Sequence, residues 1–169
     1  PLDIDLLFKK VRLDEKISCI YHMGACSDTT ESDGEYLYQN NYKFSKSIID
    51  FSIQESIPLV NASSASVYGV NKISIEKEIH EQPINHYAFT KLLVDQYIDQ
   101  KLKQHPNAYI LSLRFFNVYG FGEFAKGRMA SLPYKFYNRL IESKKIELFG
   151  ASHGVAAGEQ SRDFIYVED

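Results

Sequence analysis

From Asn85 onward the apolar residues Leu92, Leu93, Val94, Tyr97, Ile98 and Leu102 recur at a spacing that repeats like a helix and not like a strand. Upstream of it, residues 57–62 read as a short buried strand that runs out into Ser63, Ser64, Ala65, Ser66, Val67, Tyr68 and Gly69. Small hydroxyl residues at a strand end lie where open α/β sheets place their ligands. On the helix, Tyr87 and Lys91 are four residues apart and project from one face. Free tyrosine titrates near pH ~10, so service as a base at neutrality needs a depression of roughly three pH units, or about 4 kcal/mol. One positive charge held at ~4 Å supplies about that much at an effective dielectric of ~20. The sequence therefore predicts that Lys91 brings the Tyr87 phenol into a working range and that Ser64 hydrogen-bonds the substrate oxygen whose proton Tyr87 carries. A lone Tyr-x-x-x-Lys pair usually decorates a solvated face; the Ser-Ser-Ala-x-x-Tyr-Gly strand end before it makes this one a candidate acid/base site.

With 169 residues, 44% of them hydrophobic, and a formal charge of −3, the chain is long enough for one ordinary cored domain. No apolar run approaches the ~20 residues of a membrane span, and no basic start leads into an apolar signal segment. A soluble cytoplasmic protein without a membrane partner is expected. The near-neutral balance argues against nucleic acid as a partner, because phosphate backbones demand clustered basic side chains. Cys19, His22 and Cys26 form Cys-x-x-His-x-x-x-Cys, but a zinc site wants four ligands and nothing nearby supplies the last. No metal is expected, and the two cysteines read as one core residue and one loop residue.

Further strands are expected at 17–21, 109–116 and 146–149, the second of these too apolar to have a wet face. Helices are expected at 35–54, with Leu37, Phe44, Ile48 and Phe51 on the inward stripe and Asn40 close to it, and at 129–143, with Leu132, Phe136 and Leu140 inward. Residues 22–30, 70–83, 121–128 and 150–160 read as loops. His86 precedes Tyr87, and neighbours on a helix point about 100° apart, so a wall or capping contact suits it better than a role as the base. The chain contains no Gly-x-x-Gly-x-x-Gly turn of the kind that brings a pyrophosphate to a helix N-terminus.

Several blocks then match a known pattern in order: His22-Met23-Gly24-Ala25-Cys26-Ser27, Thr29-Thr30-Glu31, Asn40-Asn41-Tyr42, Ala62-Ser63-Ser64-Ala65, Tyr87 with Lys91, Arg114-Phe115-Phe116-Asn117-Val118-Tyr119-Gly120, Lys126-Gly127 with Met129-Ala130-Ser131, and Arg162-Asp163-Phe164. With these the chain resembles the extended short-chain dehydrogenases/reductases that modify nucleotide sugars. Gly-Ala-Cys-Ser followed by Thr-Thr-Glu, and Lys-Gly-x-Met-Ala-Ser, point to the ADP-L-glycero-D-manno-heptose 6-epimerase branch. The fold implied is a Rossmann-like doubly wound parallel α/β sheet. It would be partial, with residues 1–120 an incomplete dinucleotide-binding domain and 121–169 the start of a smaller substrate-binding one. A fragment lacking the Gly-rich turn is expected to bind cofactor poorly alone and to be inactive.

The resemblance implies NADP, with NAD possible, as cofactor, a nucleotide sugar as substrate and a homo-oligomer as the working form. It puts Met23, Gly24, Ala25, Cys26 and Ser27 against the nicotinamide half of the dinucleotide, where the plain alternative is a Gly turn. Asn40 would orient the site beneath the cofactor or simply tie helix to strand, and Val118 would lie near nicotinamide or only begin a turn. Lys91 would hold the nicotinamide ribose. Asn117, Arg128, Lys135, Phe149, Gly150, Ala151, Ser152 and Arg162 are the implied substrate contacts, with a structural salt bridge the rival for Arg162. Inverting a carbon by oxidation and unselective reduction needs proton exchange at both faces of a ketone, which makes Lys126, otherwise surface dressing, a candidate second base opposite Tyr87 and a cofactor contact. The activity implied is epimerisation of ADP-D-glycero-D-manno-heptose at carbon 6, in the synthesis of lipopolysaccharide inner-core precursors. The alternatives are another epimerase or dehydratase of the UDP-glucose 4-epimerase kind, or a non-catalytic dinucleotide sensor.

Overall fold

The structure, a computed structural model, describes residues 4–12, 17–70 and 80–169. It divides into two compact units, Pro1–Arg114 and Phe115–Asp169. In the first, α1 (Ile4–Arg12) precedes β1 (Ile20–His22). A long helical segment follows, made of α2 (Gly34–Leu37), a π-helical turn at Tyr38–Lys43, and α3 (Phe44–Gln54). Then come β2 (Leu59–Ser64), a short 3-10 turn at Ala65–Tyr68, α4 (His86–Gln104) and β3 (Ile110–Phe115). The strands lie side by side in the order β1-β2-β3. β1 and β2 run parallel with His22 opposite Asn61, and each strand is reached through a helix, as parallel pairing requires. This is the parallel α/β sheet of a Rossmann-like fold.

The sheet is held by one core in which Ile48 and Ile49 of α3, Leu59 of β2, and Val94 and Ile98 of α4 are buried together, with Phe8 and Ile20 packed at its edge. Asn85 caps α4, its side-chain oxygen accepting from the Ala88 amide at 2.8 Å, a bond worth about 1 kcal/mol. That cap fixes where the helix starts and therefore where Tyr87 stands, within its first turn. Gly69, at φ 62°, closes the turn after β2; a Cβ there would sit 2.0 Å from the Gln82 carbonyl oxygen, so no other residue fits.

The second unit contains β4 (Asn117–Tyr119), a 3-10 segment at Glu123–Met129, α5 (Leu132–Ser143) and β5 (Phe164–Tyr166). β4 and β5 pair in parallel, Val118 opposite Ile165. Glu123, only 3% exposed, organises the turn between β4 and α5: its carboxylate accepts from the Gly120 amide and from both the amide and hydroxyl of Ser131. Burial pushes this carboxyl up, but the Ser131 and Gly120 donors and the charge of Lys126 outweigh it and hold the group below its usual range.

Four expectations are corrected. Most of the loop expected at 121–128 belongs to the kinked 3-10 segment Glu123–Met129, because Glu123 gathers the donors around it. Residues 146–149 form no strand: they find no ladder partner, and Leu148 and Phe149 are more than half exposed. Leu140 of α5 is 47% exposed; the helix buries none of its residues fully within its unit. Leu111 of β3 is 55% exposed, so the apolar strand does have an open position. Of the loop expected at 70–83, residues 71–79 lie outside the described residues.

Candidate active site

At the carboxyl end of β2, Ser64 stands beside Tyr87 and pulls its phenol down as a hydrogen-bonding neighbour. The direction of donation follows from the hydroxyl inventory. Ser64 Oγ accepts from the Ser66 amide at 3.2 Å and from the Ser66 hydroxyl at 2.9 Å, which occupies both its acceptor positions and leaves its own proton to give. That proton is available to the neighbouring Tyr87 phenol, which Ser64 pulls down. Lys91, one turn along α4, donates to the Ala62 carbonyl at 2.7 Å and lies 5.9 Å from the centroid of the Tyr87 ring. All three groups converge at one strand end, from β2 and from α4.

The expected electrostatics are corrected by this geometry. Burial raises the Tyr87 phenol above its ordinary value, Ser64 pulls it back down, and the Cys26 thiol adds a smaller upward push. The Lys91 ammonium serves the Ala62 carbonyl, not the phenol oxygen, and is itself lowered by burial, with Asp95 and then Cys26 opposing that. In the chain by itself Tyr87 is therefore a proton holder at neutrality, not a base.

The loop leaving β1 carries Met23, half exposed, and Gly24, Ala25, Cys26 and Ser27. Asn41, 1% exposed, ties it down: Asn41 Oδ1 accepts from the Cys26 amide at 2.8 Å, and Asn41 Nδ2 donates to the Cys26 carbonyl at 3.2 Å and the Thr90 hydroxyl at 3.3 Å. Thr90 in turn donates to the Tyr87 carbonyl at 2.8 Å. Asn40 is exposed, and among the described residues it bonds only back to the Tyr36 carbonyl. The inward residue is thus one later than expected, because the π turn holds an additional residue and rotates the phase of the helix.

Beneath this loop His22, 7% exposed, shares a 2.8 Å hydrogen bond with the Ser45 hydroxyl. Burial, with the Lys91 charge second, lowers it from 6.5 to about 4. An imidazole neutral in the folded chain and protonated in the unfolded one stabilises the fold fully above pH ~6.5, and that contribution drains away as pH falls toward ~4, by at most about 3 kcal/mol. Thermal unfolding followed from pH 7 to 4 is expected to show a falling Tm that flattens in His22→Gln; an unchanged slope in the variant would assign the loss to other groups.

The second unit holds the remaining candidates. Lys126 is exposed. Arg128 is exposed, and its carbonyl accepts from the Lys135 ammonium at 2.6 Å. Asn117 Nδ2 donates to the Asp163 carbonyl at 2.9 Å, and Val118 is half-buried in the β4–β5 ladder. A cavity of about 250 Å³ is lined by Leu132, Phe136, Leu148, Phe149, Gln160 and Arg162 among others. Arg162 donates to the Ser161 carbonyl and has no carboxylate partner among the described residues. Gly150, Ala151 and Ser152 lead into a small turn in which Ser152 and Val155 exchange backbone hydrogen bonds.

Sequence reading missed a buried polar cluster beside the site. Asp95 of α4 accepts from Ser63 at 2.9 Å, Ser112 at 2.8 Å and Arg114 at 2.8 Å. Arg114 also pairs with Glu81 and lies 5.1 Å from the centroid of the Tyr68 ring. The available signal was an aspartate in the buried stripe of Leu92, Val94 and Ile98, four residues after Lys91.

A sequence-family profile matches residues 2–169, that of the NAD dependent epimerase/dehydratase family. The chain belongs to this family. Among solved family structures it resembles the ADP-L-glycero-D-manno-heptose-6-epimerase of Helicobacter pylori, with 32% identity over 99% of this chain and 50% of that one and a TM-score of 0.83. It also resembles the UDP-N-acetylglucosamine 4-epimerase of Methanobrevibacter ruminantium, solved with UDP-N-acetylmuramic acid, at 25% identity over 98% of this chain and 52% of the other, TM-score 0.81. The UDP-glucose 4-epimerase of Thermotoga maritima shares the fold at 22% identity over 98% of this chain and 53% of the other, TM-score 0.79. The chain thus spans about half the length of these relatives. No helix among the described residues is long and apolar enough to cross a membrane.

Proposed function

We propose that the protein inverts one carbon of a nucleotide sugar by transient oxidation and reduction, and that its substrate is ADP-D-glycero-D-manno-heptose, epimerised at carbon 6 on the way to lipopolysaccharide inner core. The observation that carries the reaction class is the meeting of Ser64 and Tyr87 with Lys91 beside them at one strand end. The Gly-Ala-Cys-Ser and Lys-Gly-x-Met-Ala-Ser blocks and the 32% identity to the Helicobacter epimerase support this substrate. Likeness to a UDP-sugar 4-epimerase at 25% identity supports the second reading, inversion at carbon 4 of a UDP sugar.

The residues fit the nicotinamide end of a dinucleotide, for which we favour NADP over NAD. Lys91 spends one of three donors on Ala62, leaving two for ribose hydroxyls. The loop from Met23 to Ser27 is open at Gly24, where a Cβ would meet nothing within 4 Å. When bound, the cofactor takes up and returns a hydride, and its oxidised ring brings a positive charge that favours phenolate. Tyr87 then accepts the proton of the substrate hydroxyl, and Ser64 redirects its proton to that oxygen. Lys126 protonates or deprotonates the same oxygen when the sugar presents its other face. Asn117, Lys135, Phe149 and Arg162 are proposed to hold the nucleotide and sugar, Arg162 through its two unspent guanidinium edges.

The test is to assay the full-length protein on ADP-heptose and on UDP-glucose, each with NADP and with NAD. Conversion of UDP-glucose alone would sink the heptose assignment. Lys126→Met is expected to slow epimerisation by about 10²-fold while leaving a half-reaction, oxidation in one direction, detectable by reduced-nicotinamide absorbance. Wild-type turnover in that variant would remove the second base.

A further inference from the structure

Ser64 and Tyr87 come from different elements, and something must hold those elements in register. The last residues of β2 and the middle of α4 are joined by two sets of buried polar bonds. Lys91 donates to the Ala62 carbonyl. One turn further along α4, the Asp95 carboxylate accepts from Ser63, the residue adjoining Ser64. Asp95 is 6% exposed and Ser63 4%. The carboxylate has no slack: one oxygen takes Ser63 and the Arg114 Nε, the other takes Ser112 of β3. Ser112 in turn accepts from Asn61 of β2 at 3.0 Å. Arg114 extends the cluster to Glu81 and to Tyr68, which closes the turn after Ser64. Consecutive residues of the strand end are therefore each fixed from outside the strand, Asn61 by β3 and Ala62 and Ser63 by α4.

We propose that Asp95 is a positioning residue: through Ser63 and Arg114 it sets the strand end and the turn that present Ser64 to Tyr87, and so governs how the two hydroxyls meet. The proposal rests on the functional reading above for its consequence in turnover, but not for its geometry. Ordinary core packing does not need a carboxylate there, since Leu92, Val94 and Ile98 already bury the same stretch of α4. A carboxylate with three donors gives what an apolar side chain cannot, a fixed direction for Ser63 and hence for its neighbour.

The experiment follows the Tyr87 phenol directly. Full-length protein labelled with ring-carbon-13 tyrosine, its Tyr87 signal assigned with Tyr87→Phe, is titrated as wild type, Ser64→Ala, Asp95→Asn and Ser63→Ala. The charged and titratable groups that must be kept in view are Cys26 and Lys91 beside Tyr87, and Asp95 and His22, which act on Lys91. Asp95→Asn and Ser63→Ala are expected to move the Tyr87 titration upward, as Ser64→Ala does, because the donor from Ser64 is lost or lengthened. Charge removal in Asp95→Asn alone would move it the other way, which separates the two causes. Ser63→Ala keeps every charge and answers the question if Asp95→Asn does not fold. An unmoved or lowered Tyr87 titration in Ser63→Ala would overturn the proposal and leave the cluster as a structural brace. In turnover, Ser63→Ala is expected to lose about tenfold in kcat at unchanged KM; a rise in KM alone would also count against it. If no nucleotide sugar is converted by the wild type, the functional reading fails while the titration still decides this one.

Discussion

Tyr87→Phe is expected to cut turnover by about 10²–10⁴-fold, the range that a positioned proton-transfer group supplies, without a comparable change in KM. The substitution removes one oxygen. Within the described structure that oxygen meets Ser64, so folding stability should shift by only about 1 kcal/mol, one hydrogen bond. The loss therefore has to appear in kcat and not in the amount of folded protein, which a urea unfolding curve of the same preparation checks. The pH profile adds a second handle. Because burial raises the phenol, the neutral form dominates at physiological pH until the oxidised cofactor binds. Turnover limited by phenolate should then rise with pH along a limb that disappears in Tyr87→Phe. A variant that turned over like the wild type would leave Ser64 and Lys91 without a reaction to serve.

Arg114→Leu is expected to cost about 3–5 kcal/mol, the loss typical of a buried ion pair deprived of one partner. The guanidinium lies between Asp95 and Glu81, whose side chains are 7% and 10% exposed. Burial by itself would lower Arg114, yet Tyr68, Glu81 and Asp95 together outweigh that and hold it charged. Leucine would fill the space and leave two carboxylates facing each other in a dry setting. One of them must then take up a proton, so the deficit should shrink as pH falls. Urea midpoints at pH 7 and pH 5 measure both effects. Arg114→Lys is not a mild control, because one ammonium cannot span both carboxylates in the planar geometry of the guanidinium. A midpoint close to wild type at pH 7 would mean that Asp95 and Glu81 find other donors.

How much of this was legible in the residues differs from place to place, for physical reasons. The α4 helix and the strand before it were visible because apolar periodicity and a hydroxyl-rich strand end are local signals, and the observed β2 and α4 contain both. Tyr87 with Lys91 was equally visible as a spacing. Its electrostatics were not, since whether an ammonium faces a phenol or a carbonyl depends on where the Ala62 oxygen lies. Regular helical winding puts Asn40 close to the inward stripe; nothing in Tyr-Gln-Asn-Asn-Tyr-Lys announces a π turn. The strand expected at 146–149 had the right composition but no edge to join. Arg114 could be read as part of a motif and Asp95 as an oddity in an apolar stripe, but their pairing crosses from helix to strand and needs the fold.

The π turn at Tyr38–Lys43 makes the length of this segment a constraint of its own. Deleting a single residue there would let the helix revert to regular winding with α3 still seated in its core. Asn41 or its substitute would then swing about 100° around the axis and let go of the Cys26 backbone. Composition would be almost untouched, yet the loop from Met23 to Ser27 would come adrift from the turn that bears Tyr87. Here the count of residues, more than their identity, keeps two parts of the pocket in step.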